Sequence, residues 1–260
     1  MLAEQLFDTG ELKLNYIRGS EGSQPMLLLH GITARWQDFL PIIPPLVLRH
    51  TVFALDFRGH GKSDRATDGY NLTKYAKDIV AFSQNQLQQP AVYFGHSIGA
   101  AVAIWIAARH PELTEAIIIC EPAVSPELFS IPAWSEALSK WRKIAGKPFE
   151  DIWKLENLRD AFTRRRARDL SKLDPLVLED IPAYWEGYHV DNLLGQIECP
   201  ILMIYGNREN GGILTVEQAE LITSKTADCV SHRAVDAGHA PHRVNPDLVF
   251  KLTSDFLESS

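Results

Sequence analysis

Apolar and polar positions along the 260-residue chain fall into two rhythms that alternate over most of its length. Leu12, Leu14 and Tyr16 alternate with polar neighbours, which predicts an antiparallel edge strand. Met26–Leu29 and Thr51–Leu55 are short continuous apolar runs, the pattern of strands covered on both faces. Between Thr73 and Leu87, the residues Tyr75, Ile79, Phe82 and Leu87 share one side of a helical projection and predict an amphipathic helix. A strand over Ala91–Phe94, a small-residue helix over Ile98–Arg109 and a strand over Ala116–Cys120 follow. Strands alternating with helices in this way build a parallel sheet with right-handed crossovers and helices on both faces, an α/β fold.

The rhythm breaks after Glu121-Pro122. Residues 123–195 hold no buried-strand run; they carry helical patterns, Pro126, Pro132, Pro148, Pro175 and Pro182, and four of the six tryptophans, Trp134, Trp141, Trp153 and Trp185. Sheet rhythm resumes at Pro200–Tyr205, with a helix over Val216–Thr223, a strand over Cys229–Val235 and a closing helix from Pro246, proline being well suited to a first helical turn. The organisation this predicts is a sheet core from 1–122 and 196–260, interrupted by a helical cap over 123–195.

Composition narrows the function classes. A net charge of −7 argues against nucleic acid or an anionic membrane as the main partner. Cys120, Cys199 and Cys229 form no C-x-x-C pair, which speaks for a reducing compartment and against a zinc framework. Residues 1–10 contain Glu4 and Asp8 without an apolar core segment, so no signal peptide is visible, and the expected location is cytoplasmic. No uncharged stretch is long enough to span a bilayer. A small-molecule substrate is the expected partner; nothing in the chain fixes an oligomeric state.

Gly95-His96-Ser97-Ile98-Gly99 joins a predicted strand to a predicted helix. A sharp strand-to-helix turn forces its middle residue into a strained, positive φ, and the close passage of the chain excludes side chains at Gly95 and Gly99. Ser97 is thereby lifted above the sheet edge as a candidate nucleophile, and the Ile98 N–H is left free to meet developing negative charge. A serine hydroxyl needs a base, and His239 in Asp236–His242 follows the last predicted strand at the same edge. His242 is the second choice. The two histidines form no H-E-x-x-H metal motif, because the glutamate is missing and Pro241 breaks the helix. The loop His30-Gly31-Ile32-Thr33 follows the first buried strand and can aim the Ile32 N–H at the same point as that of Ile98, a two-donor oxyanion hole. Asp56–Ser63 imitates the end of a phosphate-binding loop, but the first glycine of that motif would fall at Asp56. The dinucleotide pattern fails at Asp64, so the segment reads as a structural turn.

Taken in order and spacing, His30-Gly31, Asp56-x-Arg58-Gly59-His60-Gly61-x-Ser63, Gly95-x-Ser97-x-Gly99 and Gly238-His239 resemble the α/β-hydrolase superfamily. The resemblance covers roughly 10–121 and 196–258. It implies a mostly parallel eight-stranded sheet, the order nucleophile, acid, histidine, and no cofactor or metal. For the acid it implies two positions and no choice between them: Glu209, three residues after Gly206, and Glu121, at the end of the strand following the elbow helix. The strand-end position gives the more rigid support and is slightly favoured. The activity implied is serine hydrolysis of a small ester-type carbonyl compound through an acyl-enzyme. A C–C bond hydrolase with the same triad and a non-catalytic ligand-binding homologue are the alternatives. Tryptophans of the cap would favour an apolar or aromatic acyl group, and Arg164–Arg168 reads as a solvated helix face or, less simply, as a carboxylate anchor.

Overall fold

The computed structural model describes the chain except for residues 1–2, 20–21, 23, 68, 125–131, 156–159, 180–188, 235 and 260. Trp185, Pro126, Pro182 and Val235 lie outside the described residues. Eight strands form one sheet in the order β1-β2-β4-β3-β5-β6-β7-β8. They are β1 (Glu4–Asp8), β2 (Lys13–Gly19), β3 (Gln24–Leu29), β4 (His50–Leu55), β5 (Ala91–His96), β6 (Thr114–Cys120), β7 (Ile201–Gly206) and β8 (Cys229–Ala234). β1 pairs antiparallel with β2, and β2 antiparallel with β4; every other neighbour is parallel. β1 was not anticipated: Glu4–Asp8 has only Phe7 buried, so its pattern is too polar to announce a strand.

The alternation of side chains along the inner strands divides the core in two. Leu27, Leu29, Phe53, Leu55 and Tyr93 face one side. Met26, Leu28, Val52, Ala54, Val92 and Phe94 face the other. The first side is covered by α2 (Leu72–Gln86) and by the alanine-rich α3 (Ile98–Arg109). α1 (Ile43–Leu46) and the C-terminal helix (Pro246–Ser259) cover the second, through Ile43, Leu46, Val249 and Phe256. α2 begins where the Asn71 side chain accepts the Lys74 N–H, a local cap that fixes its start.

Between β6 and β7 the described residues hold helices and no strand: α4 (Pro132–Ile144), α5 (Phe149–Leu155), α6 (Ala161–Ser171) and α7 (Pro175–Glu179). Trp141, Ile152, Leu170 and Leu178 bury themselves in the same core as the α2 and α3 side. α6 meets the loop after β3 through two ion pairs of opposite polarity, Arg35 with Asp169 and Arg165 with Asp38. The remaining helices are α8 (Val216–Ser224), α9 (Pro241–Val244) and the C-terminal α10 (Pro246–Ser259). Among the described residues no helix is long and apolar enough to cross a membrane.

Candidate active site

The strand order reverses around β3, with β4 on one side and β5 on the other, and a crevice opens at such a point beyond the carboxyl ends of the strands. Every candidate group follows one of those ends. Among the described residues only two without a glycine's freedom have positive φ: Ser97, after β5, at 54°, and Glu121, after β6, at 49°. Such backbone costs about 1–3 kcal/mol each and persists only where the surroundings enforce it. At Ser97 the enforcement is visible. A Cβ on Gly95 would lie 2.3 Å from the Gly99 carbonyl oxygen, and one on Gly99 would lie 2.0 Å from that of Leu29. Ser97 also occupies the N-cap of α3, where serine ordinarily accepts a helix N–H; here its side chain makes no capping hydrogen bond. The hydroxyl is left for other use.

Glu121 is completely buried, and its carboxylate is fully engaged. Oε1 accepts the Gly206 N–H at 2.7 Å, and Oε2 accepts the Ile213 N–H at 2.6 Å. Oε2 also lies 3.1 Å from His239 Nδ1. Since both oxygens already receive backbone donors, Nδ1 carries the proton of that contact and Nε2 keeps its lone pair. Glu209 does not approach: it sits exposed in the short turn Arg208–Asn210, where its N–H donates to the Asn207 side chain at 3.2 Å. Of the two expected acids, the structure brings only Glu121 to His239. The reason lies in the turn after β7, which presents the N–H groups of Gly206 and Ile213 to the Glu121 carboxylate and leaves Glu209 exposed.

His242 is not a usable base. It is wholly buried, with Nε2 donating to Asp38 Oδ2 at 2.9 Å, and burial pushes its pKa below the usual histidine value. The amides of Ile32 and Ile98 donate to no acceptor among the described residues. The loop bearing Ile32 is pinned by His60, whose Nε2 lies 2.6 Å from the Ile32 carbonyl oxygen, and by His30. Burial drives the His30 pKa down to about 3, so the ring is neutral; Nδ1 donates to the Gly31 carbonyl at 2.7 Å and Nε2 accepts the Phe57 N–H at 3.0 Å. Asp56 and Arg58 are structural: Asp56 receives the N–H groups of Trp36 and Lys62, at 2.8 and 3.0 Å, and Arg58 forms a bidentate pair with Asp78, both contacts 2.7 Å.

Sequence reasoning passed over a second buried cluster behind the site. His96, the second residue of the pentapeptide, donates from Nε2 to the His239 carbonyl oxygen at 2.6 Å and so anchors the histidine loop to the serine turn. Burial and the neighbouring His242 and His239 hold its pKa well below the usual value. Burial alone would raise the Asp38 pKa, but Arg243 and the His242 hydrogen bond hold that carboxyl well below its ordinary range. Asp38, His96 and His242 bring ligand-type atoms within 4.8 Å of one another. A cation there would compete with Arg165 and Arg243, each 3.1 Å from Asp38 Oδ1. No local motif announces this cluster, since its members lie far apart in the chain. A narrow cleft of about 50 Å³ joins Ile32, Ser97 and His239 to Trp134, Trp141, Arg166, Asp169 and Arg243.

A family model described as "alpha/beta hydrolase fold" matches residues 24–173, more than half of the sequence. The chain belongs to the α/β-hydrolase fold family. It is 34% identical over 152 residues to a 2-(acetamidomethylene)succinate hydrolase of Mesorhizobium japonicum, a match covering 57% of this chain and 52% of that relative. With a pimeloyl-[acyl-carrier protein] methyl ester esterase of Neisseria meningitidis serogroup B it shares 25% identity over 243 residues, 89% of this chain and 92% of the other. Among solved structures, that of E-2-(acetamidomethylene)succinate hydrolase superposes with a TM-score of 0.78 at 21% identity, covering 99% of this chain and all of the other, a likeness of fold. Hydrolysis is the activity class these relatives share.

Proposed function

We propose that the protein is a serine hydrolase of a small ester-type substrate. In this reading Ser97 Oγ attacks the carbonyl carbon while His239 Nε2 takes its proton, and Glu121 holds the imidazolium through Nδ1. The oxyanion forms against the Ile32 and Ile98 amides, which contribute a few kcal/mol each to the transition state. His239 returns the proton to the departing alkoxide; water, deprotonated by the same ring, then attacks the acyl-enzyme and releases the acid and Ser97.

The observation that carries the reading is the Glu121–His239 contact at 3.1 Å, beside a serine held at positive φ with its hydroxyl unused for capping. An ester, rather than a C–C bond, is favoured by the esterase relative matched along most of both chains. The helices between β6 and β7 act as a cap over 123–195, with Trp134 and Trp141 forming an apolar wall for the acyl group. A cytoplasmic setting fits the three free cysteines.

The test is fluorophosphonate labelling followed by mass spectrometry, with a panel of p-nitrophenyl esters of increasing chain length. The adduct is expected on Ser97, and Ser97→Ala should cut turnover about 10⁴-fold. An adduct elsewhere, or an alanine variant of normal activity, overturns the nucleophile assignment; neither labelling nor turnover would leave the ligand-binding alternative standing.

A further inference from the structure

We infer that the cleft holds a hydroxyl group of the substrate at one fixed point, between the Arg243 Nε donor and the His96 Nδ1 acceptor. The inference rests on the serine hydrolase reading for the chemistry, and on two unmatched polar atoms of the cleft wall for the hydroxyl.

His96 supplies the acceptor. Its Nε2 meets the His239 carbonyl oxygen, which can only accept, so Nε2 carries the ring proton. Burial and the neighbouring histidines keep the ring neutral, which leaves Nδ1 as a bare lone pair. Nδ1 is buried and no atom among the described residues donates to it, on a side chain only 4% exposed. Asp38 Oδ2, at 3.8 Å, is an acceptor as well and cannot satisfy it.

Arg243 supplies the donor. Its Nη1 is committed to Asp38 Oδ1 at 3.1 Å. Its Nε is buried, and no atom among the described residues accepts from it. A buried polar atom without a partner carries its full desolvation cost, which a ligand of matching polarity recovers. Both residues flank the same carboxylate, and both line the cleft that holds Ser97 and His239.

An unmatched donor and an unmatched acceptor in one narrow cleft call for a group that does both. A hydroxyl oxygen accepts from Arg243 Nε while its hydrogen goes to His96 Nδ1. A carboxylate would leave Nδ1 without a donor, and an ammonium would leave Nε without an acceptor. Charge gives no reason for an ionic group either, since the charged residues lining the cleft are two aspartates and two arginines. A metal cation would meet Arg165 and Arg243 already seated on Asp38. Trp134 and Trp141 are left for the apolar remainder of the substrate.

The experiment sets each hydroxy ester against the ester in which methyl replaces the hydroxyl: hydroxyethyl butanoate against propyl butanoate for the alcohol side, and methyl glycolate against methyl propanoate for the acyl side. Dividing each rate by that of alkaline hydrolysis removes the difference in intrinsic reactivity. At least one pair should favour the hydroxy ester in kcat/KM by about tenfold, the worth of one hydrogen bond to a charged group. Arg243→Lys keeps a cation for Asp38 and loses the Nε donor; His96→Gln keeps a donor for the His239 carbonyl and loses the Nδ1 acceptor. Each should bring that ratio toward one, chiefly through KM for the hydroxy ester, and ratios that both variants leave unchanged overturn the site. Should His96→Gln fail to fold, Arg243→Lys and the wild-type ratios still decide. A crystal structure of Ser97→Ala with each hydroxy ester separates the two readings: a hydroxyl oxygen within hydrogen-bond distance of both atoms upholds the site even if Ser97 is never labelled. A water on the two atoms, with the hydroxyl of the ester elsewhere, overturns it. So does a wild type that labels on Ser97 yet turns over the members of both pairs equally, a result that leaves the hydrolase reading intact.

Discussion

β6 and β7 lie side by side, run parallel and end at the same edge of the sheet, and each is followed closely by a glutamate. They end differently. β6 stops in a residue at φ 49°, which turns the Glu121 side chain inward beneath His239. After β7 the chain opens into a turn that leaves Glu209 in solvent and directs the N–H groups of Gly206 and Ile213 at the Glu121 carboxylate. The loop that could have supplied the acid instead supplies the donors that hold it. A buried carboxylate is tolerable when such donors replace its lost water, so the rigidity of one strand end depends on the shape of the other.

The largest test of this contrast is Glu121→Gln. The amide places an NH₂ either against the Gly206 N–H or against both the Ile213 N–H and the His239 Nδ1–H, so turnover should fall by about 10²- to 10⁴-fold and the melting temperature should drop as well. Steady-state kinetics together with thermal unfolding would check it; a variant with normal kcat removes Glu121 from the mechanism. Gly206→Ala tests the supporting side. Its Cβ would meet the Gly238 carbonyl oxygen at 2.1 Å, forcing the β7 loop and the histidine loop apart. A loss of about 1–3 kcal/mol, several degrees in Tm, should accompany a fall in kcat. Unchanged calorimetry would mean that the two loops are not rigidly coupled.

Asp169 provides a carboxylate that is buried without such a cradle. Burial pushes its pKa up to about 6 against the pull of Arg35. With the folded value above the unfolded one, its contribution to stability is complete below about pH 4 and is lost as pH rises through 6. Relative to Asp169→Asn, the wild type should therefore lose stability between pH 4 and 6, with a slope no steeper than about 1.4 kcal/mol per pH unit. Parallel melting curves across that range would show that Asp169 does not titrate there. The smallest effect belongs to Glu209→Gln, which should alter kcat/KM less than about twofold and stability by less than about 0.5 kcal/mol. A larger loss would mean that the β7 turn rearranges to bring Glu209 inward.

The alternating fold could be read from sequence because buried parallel strands and amphipathic helices impose distinct periods, and Met26–Leu29 or Tyr75–Phe82 show them without interference. That Ser97 and His239 line one cleft follows from both being placed after strands at one edge. The choice between Glu121 and Glu209 did not, because it depends on a backbone angle at one residue and a turn at the other. The grouping of Asp38, His96 and His242 was invisible for another reason: three residues joined only by tertiary packing leave no local pattern. Arg164–Arg168 was half legible. The helical period sends Arg164 and Arg168 to solvent, as a solvated face requires, and turns Arg165 to Asp38 and Arg166 to the cleft.

The paired contacts of α6 have one more consequence. Arg165 and Asp169 stand one turn apart, facing Asp38 and Arg35 with signs reversed. Sliding the helix by a turn, about 5.4 Å, would set arginine against arginine or aspartate against aspartate. The helix is therefore keyed like a polarised plug, which seats in a single register and cannot creep along its socket. Any excursion it makes must be a full withdrawal and return, so the wall of the cleft reassembles in the same place each time.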